Sequence, residues 1–176
     1  MNCSKVFVML DKTIHDRISF DCGEPELNDF IQKNAARNLE AGISTTQVLP
    51  ASKPLSNGKY QICAFFSVSP SSIKRETFPE LLRKKLPYYP IPVFLIGQMA
   101  VHSECQGKGL GKITLIKALE YLWNINYMIK ANAVIVDCLN ESVESFYLKY
   151  GFKELDYERS RKRLFLPMST IKLLFT

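Results

Sequence analysis

Between Ile96 and Gly111 the chain runs from an apolar stretch through a short polar break into three alternating glycines, Gly107, Gly109 and Gly111. Glycines so spaced clear side chains from a segment whose backbone N–H groups can close round an anion. A helical pattern follows directly, so the positive end of its dipole faces the same anion. Lys108 and Lys112 add charge beside it. The chemistry indicated is phosphate binding, and spacing separates three loops of that kind. A Walker A loop requires glycine at position 106 and Ser or Thr at 113, where the chain has Gln106 and Ile113. A dinucleotide fingerprint starting at Gly107 and Gly109 requires glycine where Lys112 stands. What remains is Gln106-Gly107-Lys108-Gly109-Leu110-Gly111, of the form Gln/Arg-x-x-Gly-x-Gly/Ala.

The elements that must position this loop are legible from periodicity. Val93 to Val101 is an apolar run expected as a central strand, delivered by an extended Pro87 to Pro92. After the loop, Ile113, Leu115, Ile116, Ala118, Leu119, Leu122 and Trp123 leave a narrow polar stripe, which predicts a helix buried against a sheet. Upstream, Lys5 to Leu10 reads as a strand. Pro25 opens an amphipathic helix of Leu27, Phe30, Ile31, Ala35 and Leu39, stopped at Gly42. Thr45 to Leu49 and Tyr60 to Val68 form an antiparallel hairpin across Asn57-Gly58. Short helical turns are expected around Ser71 to Arg75 and Phe78 to Leu82. Downstream come a buried strand Ala133 to Cys138, a helix Glu141 to Lys149 capped by Gly151, and strands Phe152 to Leu155 and Leu164 to Leu166.

With 176 residues, 47% of them hydrophobic, the chain suits a single domain over 1–176. No apolar run is long enough for a transmembrane helix, and the apolar stretch near Val6 to Leu10 lacks a cleavage site, so neither membrane insertion nor a signal peptide is expected. Cys3, Cys22, Cys63, Cys105 and Cys138 are scattered and never paired as C-x-x-C, which argues against a disulfide framework or a thiolate zinc site and suits a reducing cytoplasm. With His15 and His102 as the only histidines, a histidine-rich metal centre is not expected either. The formal charge of +6 is compatible with an anionic partner and equally with solubility. Three basic groups, Lys33 with Arg37, Arg83-Lys84-Lys85, and Arg159 with Arg161-Lys162-Arg163, read as phosphate contacts or as solvated turns.

The glycine pattern, followed at Asn140, Val143, Tyr147, Gly151 and Phe152 by a form of Asn-x-x-Ala-x-x-x-Tyr and Gly-Phe, resembles the GNAT superfamily of acyl-CoA-dependent N-acetyltransferases. The resemblance implies the GNAT α/β fold: a mixed, mostly antiparallel central sheet flanked by helices and splayed at its fourth and fifth strands. It also implies acetyl-CoA as donor, with no metal. Phe20-x-Cys22-Gly23, Phe65 to Ser69, Pro90-x-Pro92-Val93 leading to Met99-Ala100-Val101, and Phe146-Tyr147 before Tyr150-Gly151-Phe152 are similar to the acetyltransferase toxins of bacterial toxin–antitoxin modules. That branch acetylates the α-amine of aminoacyl-tRNA and is neutralised by a small DNA-binding antitoxin, expected to be of ribbon-helix-helix type; a homodimer is left open. The chain departs from the branch at Ser44-Thr45-Thr46, where Ser-Arg-Thr is usual, and at Gln98, often arginine.

Acetyl transfer from a thioester to an amine sets the roles that the resemblance implies. The N–H groups from Gln106 to Lys112, through Gly107, Lys108, Gly109, Leu110 and Gly111, hold the pyrophosphate. Backbone of Met99, Ala100 and Val101 pairs with the pantetheine arm and meets the developing oxyanion. Asn140 hydrogen-bonds the pantetheine amide or caps the next helix, or both. Tyr147 protonates the departing thiolate, its phenol of reference pKa about 10 standing against a thiol of about 8.5. His102 is expected to be a bystander. A covalent route through Cys105 or Cys138 lacks a histidine partner, so direct transfer is expected. Acetylation of a small-molecule or protein amine, and a non-catalytic acyl-CoA-binding module, are the alternatives.

Overall fold

The computed structural model describes residues 1–155 and 160–176. In chain order the elements are β1 (Val8–Met9), β2 (His15–Asp16), α1 (Pro25–Asp29), a π-helical turn (Phe30–Asn34), α2 (Ala35–Glu40), β3 (Thr45–Pro50) and β4 (Tyr60–Ile73). A 3₁₀ turn (Arg75–Thr77), α3 (Glu80–Arg83), β5 (Ile91–Val101), a second 3₁₀ turn (Ser103–Cys105) and α4 (Leu110–Ile125) follow. The chain continues through β6 (Ala133–Asp137), α5 (Glu141–Lys149), β7 (Lys153–Glu154), β8 (Arg163–Pro167) and α6 (Met168–Phe175). Two compact units emerge, Met1–Ser69 with Gly97–Ala118, and Pro70–Ile96 with Leu119–Thr176; the division falls inside β4, β5 and α4.

In the first unit β3 and β4 form the expected antiparallel hairpin, from Thr45↔Val68 to Pro50↔Ile62, with β1 antiparallel on β3 and the two-residue β2 parallel on β4. Phe30, Ile31 and Ala35 are buried, and in the π turn between α1 and α2 the Ala35 N–H reaches back five residues to the Phe30 carbonyl. They join Phe20, Val48, Ile62, Phe65 and Ala100 in one apolar cluster. Gly42 ends the helix at φ 69°, as expected of a left-handed stop.

In the second unit β5 pairs in parallel with β6 from Phe94↔Val134 to Ile96↔Val136, β6 pairs antiparallel with β8, and β7 closes antiparallel on β8. The pairing is therefore mixed and mostly antiparallel, as expected. Beyond Ile96, β5 runs on through Gly97 to Val101. Helix α5 lies against β8, and α6 against β6 and β8. Ile73, Phe78, Ile91, Val93, Ala133, Ile135, Leu155 and Phe165 form the core.

Four expectations need correction. The turn expected around Ser71 to Arg75 begins as strand: burial alternates from Ser69 to Ile73, which carries β4 on to Ile73 before the 3₁₀ turn. The first strand shrinks from six residues to Val8–Met9. Within α4, Leu115, Ala118, Leu119 and Leu122 are buried while Ile113 and Ile116 are exposed, at 49% and 37%. Helix α6, with Met168 and Ile171 buried, has no counterpart among the expected elements, because eight residues give too few apolar repeats to register as a period. Among the described residues no helix is long and apolar enough to cross a membrane.

Candidate functional site

The glycine loop is built by anchoring its entry and leaving its backbone open. His102 donates its N–H to the Cys63 carbonyl at 2.8 Å, and Ser103 donates to the Asp21 carbonyl at 2.9 Å. The His102 ring, 6% exposed, stands edge-on to Phe20 and accepts the Glu104 N–H on Nδ1 at 3.2 Å, which caps the 3₁₀ turn Ser103–Cys105. The ring is buried and hydrogen-bonded within its own turn. Gln106 is held more firmly than a ligand contact implies. Its Nε2 donates to the carbonyls of Cys22 and Val101, both at 2.9 Å, and its own N–H donates to Ser103 at 3.3 Å. Gln106 therefore ties the loop to the end of β5, and the N–H groups open to an anion begin one residue later.

From Gly107 to Lys112 no backbone N–H has a hydrogen-bond partner among the described residues; the next one, Ile113, donates to Gly109 at 3.3 Å. Gly107 and Gly109 have φ of 74° and 78°, a region costly to residues with a Cβ. Positive φ at alternate positions is a backbone arrangement that can turn neighbouring N–H groups toward one side, and the first turn of α4 adds its unpaired donors. Lys108 reaches back to the Glu104 carbonyl at 3.3 Å, and Lys112 is exposed. The upstream residues divide in their burial: Ala100 is buried in the first unit's core, while Met99 and Val101 are half-buried.

The second group lies on α5. Asn140 has extended backbone and accepts the Val143 N–H on Oδ1 at 3.0 Å, so the capping role is realised, and its amide NH₂ has no partner among the described residues. One turn after Val143, Tyr147 is 6% exposed, its ring 5.3 Å from Phe146 and 5.2 Å from Phe152. Gly151, at φ 88°, lets the chain reverse so that the Phe152 N–H meets the Tyr147 carbonyl at 3.3 Å. Among the described residues the Tyr147 hydroxyl has no hydrogen-bond partner. Burial, with Cys138 nearby, pushes the phenol well above its ordinary value, so it keeps its proton. Burial likewise raises the Cys105 thiol, and burial with Glu144 and Asp137 raises Cys138 to about 11. Neither offers a thiolate nucleophile, in keeping with direct transfer.

The basic groups fare unevenly. Arg163 is an internal ligand of Asp137, its register partner across β6 and β8, through two bonds of 2.6 and 2.7 Å. Lys162 pairs with Glu144 at 2.6 Å and Glu154 at 3.5 Å; Lys33 pairs with Asp29 and Lys84 with Glu80. Arg159 lies outside the described residues. Arg163→Ala should lower stability by about 2 kcal/mol, and Tm by about 4–8 °C, because the half-buried Asp137 carboxylate loses both guanidinium donors and the buried arginine stem leaves its packing. Thermal melting checks this; an unchanged Tm means the pair is solvent-compensated.

Scattered cysteines also prove to be neighbours: Cys3, Cys63 and Cys105 bring their sulfurs together. Their spacing in sequence carries no hint of it, because strand pairing and a turn, not a local motif, unite them.

The acetyltransferase (GNAT) domain matches residues 62–154, more than half of the chain, from β4 through the glycine loop and α5 to β7. The chain belongs to the GNAT acetyltransferases. As a GNAT enzyme it is an acyltransferase of the acetyl-CoA-dependent N-acetyltransferase class. Its sequence is 29% identical over 138 residues to a tRNA-acetylating toxin of Mycobacterium tuberculosis, covering 78% of each chain. Among solved structures, AtaT complexed with acetyl-methionyl-tRNAfMet matches with a TM-score of 0.87 at 28% identity, over 97% of this chain and 99% of that one. AtaTR bound with AcCoA matches with a TM-score of 0.83 at 29% identity, over 97% and 98%.

Proposed function

We propose that this GNAT enzyme acetylates the α-amine of an aminoacyl-tRNA and thereby removes it from translation, as the toxin of a toxin–antitoxin module. One observation carries the acceptor: the likeness to AtaT, solved with an acetylated aminoacyl-tRNA, runs over 97% of this chain and so well beyond the cofactor loop. The whole chain, 1–176, acts as one GNAT domain in this reading, with a small ribbon-helix-helix antitoxin as its protein partner and a homodimer as an assembly compatible with it.

The residues take the following roles. The unpaired N–H groups of Gly107, Lys108, Gly109, Leu110, Gly111 and Lys112 hold the donor's pyrophosphate, with Gln106 shaping the loop and the two lysines adding charge. Backbone of Met99, Ala100 and Val101 pairs with the pantetheine arm and polarises the thioester carbonyl. The free amide of Asn140 holds a pantetheine carbonyl. Tyr147 gives its proton to the departing thiolate as the amine attacks directly. An α-amine with a reference pKa near 8 keeps an appreciable neutral fraction at physiological pH, far more than a lysine, so it needs no dedicated strong base.

The test incubates the protein with labelled acetyl-CoA and bulk charged tRNA at low salt. Label is expected on the aminoacyl group, released with it by mild alkali, and its transfer should fall steeply as salt rises. Transfer to small amines or protein amines with none to tRNA would replace the acceptor. The ion-paired state of Lys33, Lys84, Lys162 and Arg163 favours that second reading, since paired cations attract phosphates weakly.

A further inference from the structure

We propose that Cys3, Cys63 and Cys105 form a thiolate site for one thiophilic metal ion, with zinc(II) the ion that their number and geometry suit. The sulfurs of all three lie within 4.8 Å of one another, and those of Cys3 and Cys105 are 3.7 Å apart. Two thiolates on one tetrahedral zinc stand about 3.8 Å apart at the usual Zn–S length of about 2.3 Å. The Met1 thioether adds a fourth soft atom 3.4 Å from the Cys63 sulfur.

The three side chains converge from separately anchored backbone. Cys3 is bridged to Ala51, and the Ser4 N–H donates to the Pro50 carbonyl at 2.8 Å. Cys63 lies inside β4, its carbonyl taken by His102; Cys105 ends the 3₁₀ turn and donates its N–H to the His102 carbonyl at 2.8 Å. Ligands held on such elements are preorganised, which reduces the ordering cost of binding. Leu49, Ala51, Ala64 and Leu110 pack round the cluster, so water competes poorly for the ion. Cys63 and Cys105 are fully buried, while Cys3 is half-buried and provides the way in.

On binding, each S–H bond breaks, its proton passes to solvent, and the sulfur lone pair forms a bond to the metal; nothing is oxidised or reduced. Three thiolates on zinc(II) leave one net negative charge, small enough for a partly buried pocket. The site takes no part in acetyl transfer. Its consequence is mechanical, because Cys105 immediately precedes Gln106 and the bound ion would brace the root of the glycine loop.

The test titrates cobalt(II) into the reduced, metal-stripped protein and follows thiolate-to-cobalt charge-transfer absorption. The band is expected to saturate at one equivalent per chain and to vanish when zinc(II) is added. Affinity should fall by more than about 10²-fold in Cys63→Ala and Cys3→Ser. A double variant, Cys22→Ser with Cys138→Ala, should bind as the parent does. Circular dichroism reports folding, and should Cys63→Ala not fold, the more accessible Cys3→Ser decides. No thiolate band in the parent, or an unchanged titration in Cys3→Ser, overturns the proposal.

Discussion

Tyr147→Phe is expected to lower turnover by about 10²-fold or more while leaving the affinity for acetyl-CoA almost unchanged. The ring is clamped by Phe146 and Phe152, and phenylalanine keeps that packing. The hydroxyl has no partner among the described residues, so its removal orphans no donor or acceptor, and stability should change by less than about 1 kcal/mol. In the proposed mechanism, what is lost is the proton given to the departing thiolate. Burial raises the phenol, which sets the sign of the pH dependence: the proton is retained to higher pH than an ordinary phenol allows. For an α-amine acceptor, the rate should rise with pH through about 8 as the amine is deprotonated, with no descending limb until above about 10. The same burial penalises a thiolate beside it, so the difference between the two acids governs the transfer. Steady-state kinetics with a pH series measures this; unchanged turnover in Tyr147→Phe removes the residue from the reaction.

Gly109→Val should raise KM for acetyl-CoA by at least about 10-fold, with a much smaller effect on turnover at saturation. At φ 78° a β-branched residue meets a strong backbone penalty; even an ordinary L-residue pays about 1–2 kcal/mol there. A Cβ at this position would have no neighbouring atom within 4 Å, so the expected cost is conformational and not a clash. That distinction can be measured. Gly109→Asn, which tolerates the left-handed region, should lose far less affinity than Gly109→Val although its side chain is of similar size. Binding of acetyl-CoA followed by thermal shift and by KM checks both variants. An unchanged KM in Gly109→Val would mean that the loop's conformation does not govern donor binding.

Much of the glycine-loop half is legible in the amino-acid sequence. Left-handed backbone at Gly107 and Gly109 follows from the absence of a Cβ, and the open N–H groups follow from a helix that starts immediately afterwards. The hairpin at Asn57-Gly58 and the capped helix from Glu141 to Lys149 are legible for the same reason, since each depends on near neighbours in sequence. Gln106 is legible only in part: it holds the expected pattern position, but its amide is taken by the Cys22 and Val101 carbonyls, the first of them 84 residues away. The arginine-rich turn is harder still. Arg163 looks like a surface cation until β6 and β8 pair and set Asp137 opposite it.

Local structure follows from the order of residues alone: a glycine loop with open N–H groups at the head of α4, an N-capped helix carrying Tyr147, and the strand-forming runs between them. Its causes are short-range, namely glycine's freedom, side-chain capping and apolar periodicity. Which distant residues share an environment is set instead by the packed fold. Packing buries Tyr147 and raises its pKa, draws Arg163 inward to Asp137, and gathers Cys3, Cys63 and Cys105 from positions that no spacing rule connects. Such partnerships arise from strand register and turn geometry over many tens of residues, where a single-residue change in pairing would send the same side chains to the opposite face.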